Sequence, residues 1–237
     1  MAVIKGEGKV TILFGERSVT SGAITHQTYL ARPDLAGEWP TIIIVPGAWG
    51  VTSSVKDLAR RIARRGVAAI AVDLYRQSQP SRRADAAEAE AAFDAISMAH
   101  ARRVLSDIVS FIVNPAGFWS NAEHGFGILG LGSGGGIATE TAVDSGAALV
   151  LAASLPVAAL ARVTAPILGL LGKDDEVVSL EDVAAARADA PHAEWVLYDG
   201  VGHDFLDDYL EGFDDQAHGD AVERIVKFCE KHLPPAT

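Results

Sequence analysis

Cysteine is nearly absent from this chain. Cys229 is the only one in 237 residues, which excludes an internal disulfide and any multi-cysteine zinc site. Basic charge is also scarce: Lys+Arg number 20 against 31 Asp+Glu, a net charge of −11. A protein that grips phosphate backbones or anionic membrane surfaces needs a basic face, so neither partner is expected. Long apolar runs are missing too. The most apolar stretch, Ala147 to Val163, is shorter than the ~20 residues of a spanning helix and is interrupted by Ser154 and Pro156. The opening Met1 to Glu7 has no apolar core of signal-peptide length. A soluble cytoplasmic protein is expected. There is no low-complexity linker, no charge block and no repeat of fixed period, so residues 1–237 read as a single domain.

What is present is globular in balance, with 49% hydrophobic and 22% charged residues. Val10, Ile12 and Phe14 alternate with polar neighbours, and a second extended segment lies near Ile24 to Leu30. The pattern then changes. Thr41 to Val45 is a short apolar run ending at Pro46-Gly47, as strands buried on both faces do. A helix with an apolar stripe of Val55, Leu58 and Ile62 follows, with Ser54 expected as its cap, Asp57 near N3 and Gly66 as its stop. Further strands are expected at 67–72, 126–131, 147–152, 167–171 and 195–198. Helices are expected over about 85–113 (as one or two), from about 135, near 180–190 and near 216–232. Such alternation predicts a mostly parallel sheet with helices on both faces, whose ligands bind at the carboxyl ends of the strands.

Three readings compete for the glycine-rich turn Gly127 to Gly136. Gly130, Gly132 and Gly135 fit a dinucleotide-binding G-x-G-x-x-G, but the acid expected ~20 residues on is missing. A nucleophile elbow with Ser133 at its apex has Gly135 and Gly136 as small neighbours, yet places Leu131 where a small residue is needed. The same elbow with Gly132 at its apex finds every small neighbour in Gly130, Gly134 and Gly135, but carries no nucleophile. Downstream, Asp175 follows one strand, and His203, in Gly202-His203-Asp204-Phe205, follows the next. Elbow, acid, histidine is the chain order of α/β-hydrolases.

From about Ile42 to Leu233 the chain resembles the dienelactone hydrolases, a branch of the α/β-hydrolase fold. The resemblance is carried by Ile43-Ile44-Val45-Pro46-Gly47-Ala48-Trp49-Gly50, by Gly66 to Tyr75 with its Asp73-Leu74-Tyr75 ending, by Asp175, by His203 and by Val226-Lys227-Phe228-Cys229. It implies an α/β-hydrolase fold, Asp175 and His203 as acid and base, and Cys229 as a packing residue of the last helix. It departs at two points. Gly132 stands where the family has its nucleophilic Cys, and Gly47 stands where it often has a Glu that holds the resting thiol.

The function expected is hydrolysis of an ester or lactone. In one form Ser133 attacks, with His203 as base and Asp175 orienting it, and with the N–H of Ala48 and of the residue after the nucleophile as oxyanion donors. In a second form His203 and Asp175 act above Gly132 on water or on a substrate proton, as in non-covalent hydrolysis, a lyase or an isomerase. A third alternative is a binding scaffold without turnover. The substrate is a small molecule lined by Trp49, Tyr75, Arg76 and Phe205, with Arg76 suited to a substrate carboxylate. Histidines 26, 100, 124, 192, 218 and 232 lack metal-ligand spacing and read as surface residues. No metal or organic cofactor is indicated, and a monomer or small homo-oligomer is expected.

Overall fold

The computed structural model describes residues 10–35, 37–75, 85–113, 125–203, 205–208, 210 and 212–233. Strands β1 (Ile12–Ser21) and β2 (Ile24–Pro33) form an antiparallel hairpin. Six shorter strands follow: β3 (Thr41–Val45), β4 (Ala68–Val72), β5 (Gly127–Leu131), β6 (Ala148–Ala152), β7 (Ile167–Gly172) and β8 (Glu194–Tyr198). They make one eight-stranded sheet in the order β1-β2-β4-β3-β5-β6-β7-β8. β2 meets β4 antiparallel, and every pairing from β4 through β8 is parallel.

The apolar runs are buried on both faces because helices cover both. Along β3, Ile43 and Val45 enter one core with Val104, Leu105 and Ile108 of α3 (Met98–Val113) and Ile137 and Ala138 of α4 (Gly134–Ser145). Ile42 and Ile44 enter the other, with Leu58 and Ile62 of α1 (Ser53–Ala63) and Ile225, Val226 and Cys229 of α7 (Asp215–His232). This two-residue alternation is the pleat of a central strand. α2 (Ala86–Asp94) and α6 (Leu180–Asp189) lie on the first side, through Ala89, Phe93 and Ala186. The short α5 (Val157–Leu160), begun at Pro156, has no counterpart in the sequence pattern. No helix among the described residues is long and apolar enough to cross a membrane.

One cap differs from expectation. α1 is capped by Thr52, whose extended backbone lets its side chain accept from Val55 N–H. Ser54 lies inside the helix, and its hydroxyl donates to Asp207, at 2.7 Å, and to Asp208. Asp57 binds Arg60 and Arg61 one turn on.

Candidate active site

The elbow is built by close approach of backbones. A Cβ on Gly130 would stand 2.6 Å from the Gly135 Cα, and one on Gly134 would stand 2.3 Å from the Pro46 carbonyl oxygen. Only glycines let α4 start against β3 and β5 at these points. Gly132 then turns the chain at φ +46°, in the left-handed region that L side chains rarely adopt. Its N–H donates to Ala152 O at 3.1 Å, and Gly135 N–H donates back to Gly132 O at 3.0 Å. Gly132 is thus the apex, in the register whose small neighbours are Gly130, Gly134 and Gly135. A Cβ built on it would meet His203 Nε2 at 3.8 Å.

His203 and Asp175 come together because their loops pack directly. Lys173 N–H donates to Tyr198 O at 2.9 Å, and Asp174 N–H to Val201 O at 3.0 Å. The Asp175 side chain is fully buried and the His203 side chain is 24% exposed. The two carboxylate oxygens of Asp175 lie 3.0 and 2.9 Å from His203 Nδ1. Oδ1 also accepts from the N–H groups of Val177 and Val178, at 2.8 and 2.9 Å. A carboxylate only accepts, so Nδ1–H is the donor, and in the neutral tautomer that this selects Nε2 is the acceptor. That acceptor faces the apex.

Ser133, the alternative nucleophile, is directed elsewhere. Its Oγ donates to both oxygens of Glu90, at 2.7 and 2.8 Å. Glu90 is the polar site residue that the sequence does not reveal. It lies in a helix of alanines and glutamates, 43 residues from its partner, and no motif marks it. The loop after β3 forms the opposite wall. A Cβ on Gly47 would lie 3.1 Å from Leu131 O and 3.7 Å from Ser133 N, so this loop rests on the elbow. Ala48 is buried, and its carbonyl accepts from the Tyr75 hydroxyl at 2.6 Å. The backbone N–H groups of Ala48 and Ser133 take no partner among the described residues. The assembly sets an oriented imidazole acceptor against an apex without a side chain, beside two backbone N–H groups that are open among the described residues.

The residues expected to line the pocket divide. Trp49 is half-buried and packs against the core beneath its loop. Tyr75 is buried and holds Ala48, so it supports the wall more than it forms a surface. Phe205 is fully buried against the Tyr198 ring, centroids 5.4 Å apart, and belongs to the core; a ring without accessible surface cannot line an open pocket. Arg76 lies outside the described residues, as does His124. Cys229 is buried in α7, and burial pushes its thiol up to about 12, so it packs and does not react.

Two histidines read as surface residues are buried. His26 Nε2 lies 2.7 Å from Asp107, which also accepts from Ser21, tying the β1–β2 hairpin to α3. His218 sits at the start of α7 with only 3% exposure, and neither ring nitrogen has a hydrogen-bond partner among the described residues.

The model of the dienelactone hydrolase family matches residues 26–233. A Salmonella typhimurium protein named as a carboxymethylenebutenolidase is 30% identical, the match covering 92% of this chain and 87% of that one. A Bradyrhizobium protein named as a 2-oxo-3-(5-oxofuran-2-ylidene)propanoate lactonase is 26% identical over 86% of this chain and 89% of its own. A crystal structure of a Klebsiella pneumoniae protein named as a dienelactone hydrolase superposes with a TM-score of 0.82 at 28% identity, covering 93% of this chain and 99% of that one.

Proposed function

The chain belongs to the dienelactone hydrolase family, and we propose that it hydrolyses a small ester or lactone by direct attack of water, without a covalent enzyme intermediate. The observation that carries this reading is the apex: Gly132 presents no side chain, and the place where one would begin lies 3.8 Å from His203 Nε2. Relatives named as carboxymethylenebutenolidases and as a lactonase support the substrate class.

In this reading a water molecule occupies the space above Gly132 and gives a proton to His203 Nε2 as its oxygen attacks the acyl carbon. Asp175 stabilises the imidazolium through Nδ1–H. The carbonyl oxygen becomes an alkoxide held by the Ala48 and Ser133 N–H groups. The tetrahedral intermediate then expels the leaving alkoxide, which takes the proton from Nε2. Water and ester become acid and alcohol, or a lactone becomes its hydroxy acid, and the imidazole returns neutral.

The experiment is turnover of a panel of aryl esters and unsaturated lactones, with intact mass after treatment with a fluorophosphonate. The expected result is turnover that falls about 10²–10⁴-fold in His203→Ala, falls far less in Ser133→Ala, shows no burst and leaves the protein unlabelled. Label on Ser133, with activity lost in Ser133→Ala, replaces this reading with a serine nucleophile. A folded protein that turns over none of the panel replaces it with a binding scaffold.

A further inference from the structure

One turn of α2 touches both walls of the site. Glu90 and Phe93 are three residues apart and so share a helix face. Glu90 accepts the Ser133 hydroxyl with both carboxylate oxygens. Phe93 is buried and meets the Tyr75 ring edge-on, with centroids 6.3 Å apart and planes at 70°. Tyr75 in turn donates to the Ala48 carbonyl at 2.6 Å. Burial first, and then the charges of Glu90, Asp73 and Asp94, push the Tyr75 phenol up to about 12, so it remains a donor at neutral pH. Ser133 and Ala48, whose N–H groups have no partner among the described residues, are therefore held from the same short helix: Ser133 by its side chain, and Ala48 through Tyr75. α2 buries little else, since Ala89 and Phe93 are its only buried residues.

Oxyanion donors work because they are fixed before the charge develops, and fixed donors need a supporting layer. We propose that α2 positions the oxyanion site, with Glu90 acting through Ser133 and Phe93 acting through Tyr75 on Ala48. This rests on the reading that the Ala48 and Ser133 N–H groups receive the alkoxide. Glu90 and Phe93 are positioning residues: Glu90 touches the donor residue Ser133, Phe93 reaches Ala48 only through Tyr75, and the reaction needs them for geometry alone.

A carboxylate beside an oxyanion site is an electrostatic cost, and that makes the test discriminating. Removing the Glu90 charge without disturbing geometry would strengthen the binding of an anion. Losing the positioning contact would weaken it. The experiment measures kcat, KM, the affinity for a small phosphonate monoester as a stable tetrahedral anion, and the backbone amide NMR shifts of Ala48 and Ser133. These are taken for Glu90→Ala, Glu90→Gln, Phe93→Leu, Ser133→Ala and the Glu90→Ala/Ser133→Ala pair. We expect Glu90→Ala to lower kcat about tenfold or more, to leave KM within about threefold, to weaken phosphonate binding in step with kcat and to shift the Ser133 amide. Glu90→Gln, which keeps an acceptor for the hydroxyl but not the charge, retains a kcat close to the parent's and binds the phosphonate at least as tightly. The pair is no worse than either single variant. Phe93→Leu moves the Ala48 amide and leaves the fold intact by circular dichroism.

Parent-like kcat and phosphonate affinity in Glu90→Ala overturn the proposal. So does tighter phosphonate binding in that variant, or a Glu90→Gln variant as impaired as Glu90→Ala. Phosphonate affinity and amide shifts need no turnover. If His203→Ala were to leave activity intact, the water-attack reading would fall, while weaker phosphonate binding in Glu90→Ala would still support the positioning role.

Discussion

His203 Nε2 stands 3.8 Å from the point where a Gly132 side chain would begin, and among the described residues no other heavy atom outside the turn itself comes within 4 Å of that point. The imidazole is therefore aimed at an apex that carries no side chain. Asp175 keeps the aim, with one carboxylate oxygen bonded at the same time to two loop N–H groups. An imidazole held this firmly against an open position is the arrangement that the proposed water attack requires. It also means that a single added hydroxyl would rebuild a covalent site.

Gly132→Ser is the variant that tests the aim. The hydroxyl would extend from the Cβ position to within hydrogen-bond reach of Nε2. The φ of +46° makes the substitution cost roughly 1–2 kcal/mol, or about 2–8 °C of thermal midpoint in a chain of this size. We expect a folded, slightly less stable protein that acquires a fluorophosphonate adduct at position 132, absent from the parent. A folded Gly132→Ser that stays unlabelled would show that Nε2 does not face the apex.

The neighbouring glycines should separate by space alone. A Cβ on Gly135 would fall 1.8 Å from Ser154 Oγ and 2.6 Å from Ser154 Cβ, whereas one on Gly136 meets nothing within 4 Å. Gly135→Ala forces the start of α4 off β6 and should cost about 1–3 kcal/mol. Gly136→Ala, one residue on, should instead stabilise by up to about 1 kcal/mol through helix propensity. Urea midpoints of the two variants check this. Equal stabilities would mean that α4 does not pack on Ser154 as closely as described.

Much of the fold is legible in the sequence because it is written in short runs. Thr41 to Val45 is apolar throughout because both faces of β3 are covered. The pairing of Asp175 with His203 is also legible, since chain order alone brings two consecutive strand ends together. The register of the elbow is not. Ser133 and Gly132 share one run of glycines, and what separates them is a backbone angle and the direction of a missing Cβ. Glu90 is hidden for a different reason: its contact with Ser133 spans 43 residues and belongs to no periodic pattern. The α1 cap fails similarly, because Ser54 is claimed by Asp207, 153 residues away. His26 and His218 read as surface residues because polarity suggests exposure, while burial is decided by which helix happens to cover them.

His218 should make stability depend on mild acid. Burial, and secondarily the Arg61 charge, hold its imidazole below the ordinary 6.5, against the opposing pull of Asp57, Asp215 and Asp208. The unfolded chain takes up this proton near pH 6.5, and the folded chain refuses it until lower pH. In that interval the unfolded state binds more protons, so stability rises with pH. The contribution is complete above pH 6.5 and is lost progressively as the pH falls below it. His232, whose imidazole is also lowered by burial and by Lys231, adds in the same direction. Asp57, Asp107 and Asp220, all held below the ordinary 3.8, act only at stronger acid, so they do not share this window. His218→Phe extends the aromatic contact with Phe213, whose ring centroid lies 5.5 Å from the imidazole, and removes the titration. Urea midpoints at about pH 7.5 and about pH 5 should differ less in His218→Phe than in the parent, while His232→Gln keeps most of the parent's slope. An unchanged slope in His218→Phe would show that the buried imidazole accepts its proton in the folded state.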